Sequence, residues 1–199
     1  MTTASPDDPQ AWAQAWIHAR RTVLPKRLDA PGPAQDQLTR ILEAAAAAPD
    51  HDQLLPWRFV LIPQAARERL AAAFEQALVE RDPLATGEQR EQAREKAFRG
   101  PVLLLAVARL AGGSAQVPDA ERLVSLGCAI QNMLLMATAL GFGSALTSGK
   151  AMGSRPLRSL FALQAEEQAV CFLSIGTVAK AKAGKERPRV EQYVTSLPT

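Results

Sequence analysis

Few side chains in this 199-residue chain could perform acid–base or nucleophilic chemistry unaided. There are two histidines, His18 and His51, and a serine triad would need His51 beside an activated serine and an acid. No G-x-S-x-G elbow exists, and GFGSALTSG (Gly141 to Gly149) has the wrong spacing. The metal spacings C-x-x-C and H-E-x-x-H are absent, as are the phosphate loops G-x-x-x-x-G-K-[ST] and G-x-G-x-x-G. Cys128 (SLGCAIQ) and Cys171 (AVCFLSI) sit in apolar settings and read as buried, inert thiols. If the protein catalyses a reaction, a bound organic cofactor carries the chemistry.

Several groups could hold such a cofactor. Arg20, Arg21 and Thr22 put two guanidiniums and a hydroxyl within three residues, enough to clamp a phosphate. The same residues also read as a cationic helix end complementing its dipole. Lys180 and Lys182 follow the last apolar run and either join that anion or stay solvated. Pro49, Asp50 and His51 form a short loop between a run of five alanines and an apolar segment opening at Trp57. His51 either reaches beyond the protein or caps a carbonyl.

The elements that must position these groups are legible in outline. Trp12, Ala15, Trp16 and Ala19 recur at helical spacing, so Pro9 to Arg21 is predicted as a helix whose two-tryptophan stripe faces something large. Asp36 to Ala48 reads as a helix ended by Pro49, and Trp57 to Ile62 as a buried strand. Ala65 to Arg81 is amphipathic and Glu88 to Phe98 charged and exposed. VLLLAVA from Val102 is a central strand, and Pro118 to Leu140 the longest helix, apolar nearly all round in its second half and ended by Gly141. Ser144 to Thr147 is a short strand or loop, Ser154 and Pro156 begin another helix, and Ala169 to Thr177 is a strand. Val190 to Val194 offers a last strand. The class is α+β, with helices packed on a central sheet.

Composition bounds the reading. Hydrophobic residues at 47% and charged residues at 22% match a soluble globular chain, expected to be a single domain spanning 1–199 behind a disordered leader at 1–8. The net charge of +3 is spread through mixed stretches such as EQREQAREK, with no basic stripe carrying aromatics, which argues against a nucleic-acid partner. MTTASPDDPQ is polar and acidic, unlike a signal peptide, and NMLLMATALGFGSAL falls short of a membrane span, so no membrane partner and a cytoplasmic location are expected.

Four segments in order, RRT (20–22), ILEAAAAAPDHDQLLPWRF (41–59), GCAIQNMLLMATALGFGSALTSG (127–149) and FLSIGT (172–177), resemble the signatures of FMN-dependent nitroreductases, in particular the small branch whose loop reads A-P-D-H before P-W. The resemblance covers Arg20 to Gly176. It implies a mainly antiparallel sheet surrounded by helices, an intertwined homodimer with FMN at its interface, and a tail at 180–199 exchanged with or packed on the partner subunit. It implies cofactor contacts from Arg20, Arg21, Thr22, Pro49, Asp50, His51, Leu146, Thr147, Ser148, Gly149, Lys180 and Lys182, with a basic residue near Lys182 on the phosphate. The activity implied is ping-pong: NAD(P)H delivers hydride to flavin N5, then a nitroaromatic, quinone or similar small acceptor takes the electrons, with no acid or base from the protein. Leu55, Thr147 and Ala47 stand where relatives carry polar or charged groups. That departure motivates an alternative, a non-catalytic dimeric protein of this fold with weak or lost flavin.

Overall fold

A computed structural model describes residues 8–110, 116–180 and 186–198. Helix α1 (Pro9–Ala19) begins where the Asp8 carboxylate accepts the N–H of Ala11, and it buries none of its residues. Helix α2 (Gln35–Glu43) passes directly into a 3₁₀ turn at Ala44–Ala47, so the alanine run is not the continuous α-helix expected. Pro49 biases the residue before it toward extended backbone, and the last turn tightens. Ala45 and Ala48 are buried, their small side chains letting the turn pack closely on α5 (Asp119–Ala139).

Five strands form the sheet: β1 (Leu28–Asp29), β2 (Trp57–Leu61), β3 (Val102–Arg109), β4 (Gly143–Thr147) and β5 (Glu167–Val178). Every strand pair is antiparallel; β5 pairs with β1, β3 and β4, and β2 pairs with β3. The one parallel contact is a bridge between Thr22 and Ser144. VLLLAVA is central as expected, whereas β2 lies at an edge, with Leu61 exposed.

Period-two alternation sends alternate residues to two cores. Leu104, Ala106, Leu173 and Ile175 meet Ile130, Met133, Leu134 and Ala137 of α5 on one face. Leu103, Leu105, Val107 and Phe172 meet Leu70 and Ala73 of α3 (Arg67–Arg81) and Leu157 of α6 (Arg155–Leu160) on the other. Helix α4 (Gly87–Glu95) opens with a capping box between Thr86 and Gln89 and runs beside α3. A Schellman turn closes α5: Gly141, at φ 86°, donates to the Thr138 carbonyl at 3.0 Å, and Phe142 donates to that of Ala137 at 2.9 Å. By length and mean hydropathy α5 could cross a membrane, but its buried residues are the core of the first face.

Two ionic features fix the frame. Arg67 is fully buried and donates to the carbonyls of Ile62 (3.1 Å), Ala97 (2.7 Å) and Pro101 (3.3 Å). Arg58 and Glu167 form a bidentate pair at 2.6 and 2.8 Å, clasping β2 to β5 across β3. The last predicted strand is corrected: Val190–Gln192 is a single 3₁₀ turn, because no strand runs beside it to accept its backbone pairing. Cys171 is buried and its thiol is pushed up to about 11 by that burial, while Cys128 is half-buried.

Candidate functional site

The end of α1 delivers its cations to one place. Arg20 caps the helix, its N–H bonding the Trp16 carbonyl at 3.1 Å, and its backbone then turns extended. Arg21 folds back onto the carbonyls of His18 and Arg20. From the other end of the chain, Arg187 donates to the Arg20 carbonyl at 2.9 Å. Burial, then the charges of Arg187 and Arg21, lower the Arg20 pKa. Among the described residues no carboxylate pairs with any of the three guanidiniums. Like charges gathered this way are unfavourable unless an anion joins them.

One residue on, Thr22 meets β4 at the parallel bridge, and Val23 donates to the Ser144 carbonyl at 2.9 Å. Ser144 is buried, and its hydroxyl oxygen has no hydrogen-bond partner. A buried hydroxyl left this way is costly unless a partner arrives. The carbonyl of its own residue is already used by Val23, so the hydroxyl remains as the local donor.

Where β4 ends, Thr147, Ser148 and Gly149 line a cavity of about 970 Å³. Its floor is Leu103, Phe172 and Ser174 from the sheet face beneath α3, and Phe74 closes one side. Lys26, Lys96, Arg99 and Lys150 put positive charge around it. Leu146, on the opposite face of β4, is exposed and does not line the cavity.

The loop at Pro49, Asp50 and His51 does not join these groups within one protomer. His51 Nδ1 lies 2.9 Å from Glu121 Oε2 on the first turn of α5, and Nε2 lies 3.8 Å from Asp52. Asp50 accepts the N–H of Leu55 at 2.8 Å with one oxygen, and its other oxygen is buried without a partner. Trp57 belongs to the core.

Of the residues expected to bind, the structure thus groups Arg20 and Arg21 beside Thr22, puts Thr147 to Gly149 on the cavity, and leaves the His51 loop apart from both. Lys180 is exposed, and Lys182 lies outside the described residues. Arg187, Ser144, Lys26, Lys96 and Glu121 were not singled out from the sequence. A basic residue near Lys182 was expected beside Arg20, and Arg187 bonds the Arg20 carbonyl; nothing local distinguishes it from its basic neighbours.

Comparison with known proteins defines the class. Residues 17–177 match the Nitroreductase family, and the chain belongs to it. It is 35% identical over 174 residues to a Haemophilus influenzae protein provisionally named an NAD(P)H nitroreductase, covering 86% of this chain and 93% of that one. A protein of Escherichia coli K12 with the same provisional description, YdjA, is 35% identical over 173 residues, covering 85% and 91%. The fold matches a nitroreductase-like protein from Bacillus cereus at a TM-score of 0.79 and 22% identity, covering 99% and 98% of the two chains. It also matches a nitroreductase with bound FMN from Bacteroides fragilis at 0.69 and 22%, covering 93% and 98%. The α+β architecture, a mainly antiparallel sheet between helices, is therefore nitroreductase-like.

Proposed function

We propose that the protein is a cytoplasmic, homodimeric FMN-dependent oxidoreductase that takes reducing equivalents from NAD(P)H and passes them to a nitroaromatic, quinone or similar acceptor. The observation that carries this reading is the gathering of Arg20, Arg21 and Arg187 with no carboxylate pairing them among the described residues, while Ser144, the strand residue that Thr22 bridges, keeps an unpartnered hydroxyl. That donor set fits a phosphate monoester, which bears close to two negative charges at neutral pH and accepts several charge-assisted bonds. FMN, when bound, supplies reversible hydride chemistry at its ring.

The chain's own residues then hold and shield it. Arg20, Arg21 and Arg187 would neutralise the phosphate, with the Thr22 and Ser144 hydroxyls as neutral donors. Leu103, Phe74 and Phe172 give the cavity its apolar lining, and Lys26, Arg81, Lys96, Arg99 and Lys150 outnumber Asp82 and Glu95 around it, which leaves its potential positive. The homodimer is supported by the surface of one protomer. Trp12 (45% exposed) and Ile17 (55%) on α1, with Leu123 (39%) and Val124 (65%) on α5, present exposed apolar surface. In such a pair the His51 loop of one subunit approaches the flavin, and the tail from Lys180 packs on the partner.

A second reading, a non-catalytic dimer of this fold, is favoured by one feature. Leu55 is 57% exposed and Ala47 is exposed, and neither offers a polar atom to a cofactor. The visible spectrum of the purified protein, before and after anaerobic NADPH, separates the readings. A flavin spectrum that NADPH bleaches and a quinone restores is expected. Bound flavin that NADPH leaves unchanged selects the second reading, and colourless protein that refuses added FMN overturns the first and agrees with the second, in which flavin is lost.

A further inference from the structure

We propose that Glu121 is a positioning residue: by holding the imidazole of His51 it latches the 50–55 loop to α5, and the latch weakens when the ring loses its proton. Three non-glycine residues in this loop adopt left-handed backbone, Asp52 at φ 56°, Gln53 at 53° and Leu55 at 46°. Such backbone is unfavourable for an L-residue, so the course persists only if its surroundings impose it. Two of the restraints are internal: Leu55 N–H donates to the Asp50 carboxylate at 2.8 Å, and Gln53 N–H donates to the Asp50 carbonyl at 3.3 Å. The side-chain link from the loop to the body of the protein is His51 Nδ1 to Glu121 Oε2, at 2.9 Å across 70 positions of sequence.

The ring lies between two carboxylates, Glu121 of α5 on one nitrogen and Asp52 of its own loop on the other. Asp50 is turned to Leu55 N–H, and Asp119 shares the first turn of α5 with Glu121. The bond to Glu121, then the charge of Asp52, raise the His51 pKa above 6.5, and no cation among the described residues opposes them. The sign follows: the latch is at full strength below pH 6.5 and is lost as pH rises through the raised folded value.

The latch stands on the geometry alone; its effect on flavin rests on the proposed placement of this loop at the cofactor. With two histidines in the chain, an H18Q background leaves His51 as the sole imidazole signal in a proton NMR titration of the full-length protein. Glu121→Gln should lower the His51 midpoint and speed amide exchange of residues 51–55 several-fold, D52N should lower the midpoint less, and Glu121→Asp should restore part of both. An unchanged midpoint and unchanged exchange in E121Q would overturn the latch, whatever the flavin does. FMN affinity of the wild type should fall as pH passes the His51 midpoint, with that dependence flattened in E121Q. If exchange responds and FMN affinity does not, the latch holds and the loop's placement at the flavin is what fails.

Discussion

The Ser144 hydroxyl is the most exacting test at the scale of one residue. It is buried and unpartnered in the protein alone. Replacing it by alanine removes an unsatisfied group, so S144A should raise the stability of the flavin-free protein by about 1 kcal/mol. If the hydroxyl donates to phosphate, the same change should weaken FMN binding by about tenfold, which is near the worth of one such bond. Thermal unfolding and fluorescence titration read the two effects separately; a loss in both would mean that the oxygen has a structural partner after all. The sequence marks Arg20 and Thr22 through their adjacency but not Arg187, which meets Arg20 from 167 positions away. Spacing rules see neighbours along the chain, and a contact made only by folding leaves no local trace. Glu121 was hidden for the same reason.

Elements were more legible than contacts. Hydrophobic period alone places α3, α5, β3 and β5, because each buries a face wide enough to imprint the pattern, whereas α1 shows its period without burying a residue. The misses come where packing decides. Ala44 to Ala47 has the highest helix propensity in the chain, yet tightens into a 3₁₀ turn against α5 ahead of Pro49. Val190 to Val194 has strand composition, but a strand needs a neighbour. The clasp between β2 and β5 gives a prediction at this scale. Arg58 holds the Glu167 carboxylate at about 2, below its ordinary 4.5. The folded value is depressed, so the clasp's contribution is present above pH 4.5 and disappears as pH falls toward about 2. The unfolding temperature of the wild type should drop more steeply across that window than that of E167Q. Parallel slopes would show that Glu167 is not the group responsible.

At the scale of the whole molecule, part of the apolar surface stays exposed. Helix α1 buries nothing, although Trp12 and Trp16 stack at 6.3 Å, and α5 leaves Leu123 and Val124 outward. The two tryptophans lean on each other, with Trp16 half-buried and Trp12 exposed. If the chain pairs through this face as proposed, Val124→Asp should give a monomer by light scattering and weaken flavin binding in the same step; a variant that still forms a flavin-bound dimer would move the interface elsewhere. Arg67 carries a consequence of a different kind. Its guanidinium is tethered by three neutral carbonyl groups rather than by an acid, and two of them, of Ala97 and Pro101, belong to the segment that carries Lys96 and Arg99. Acidification that dissolves the Arg58 clasp has no carboxylate to discharge here, so one wall of the cavity should keep its shape while the sheet edge loosens around it.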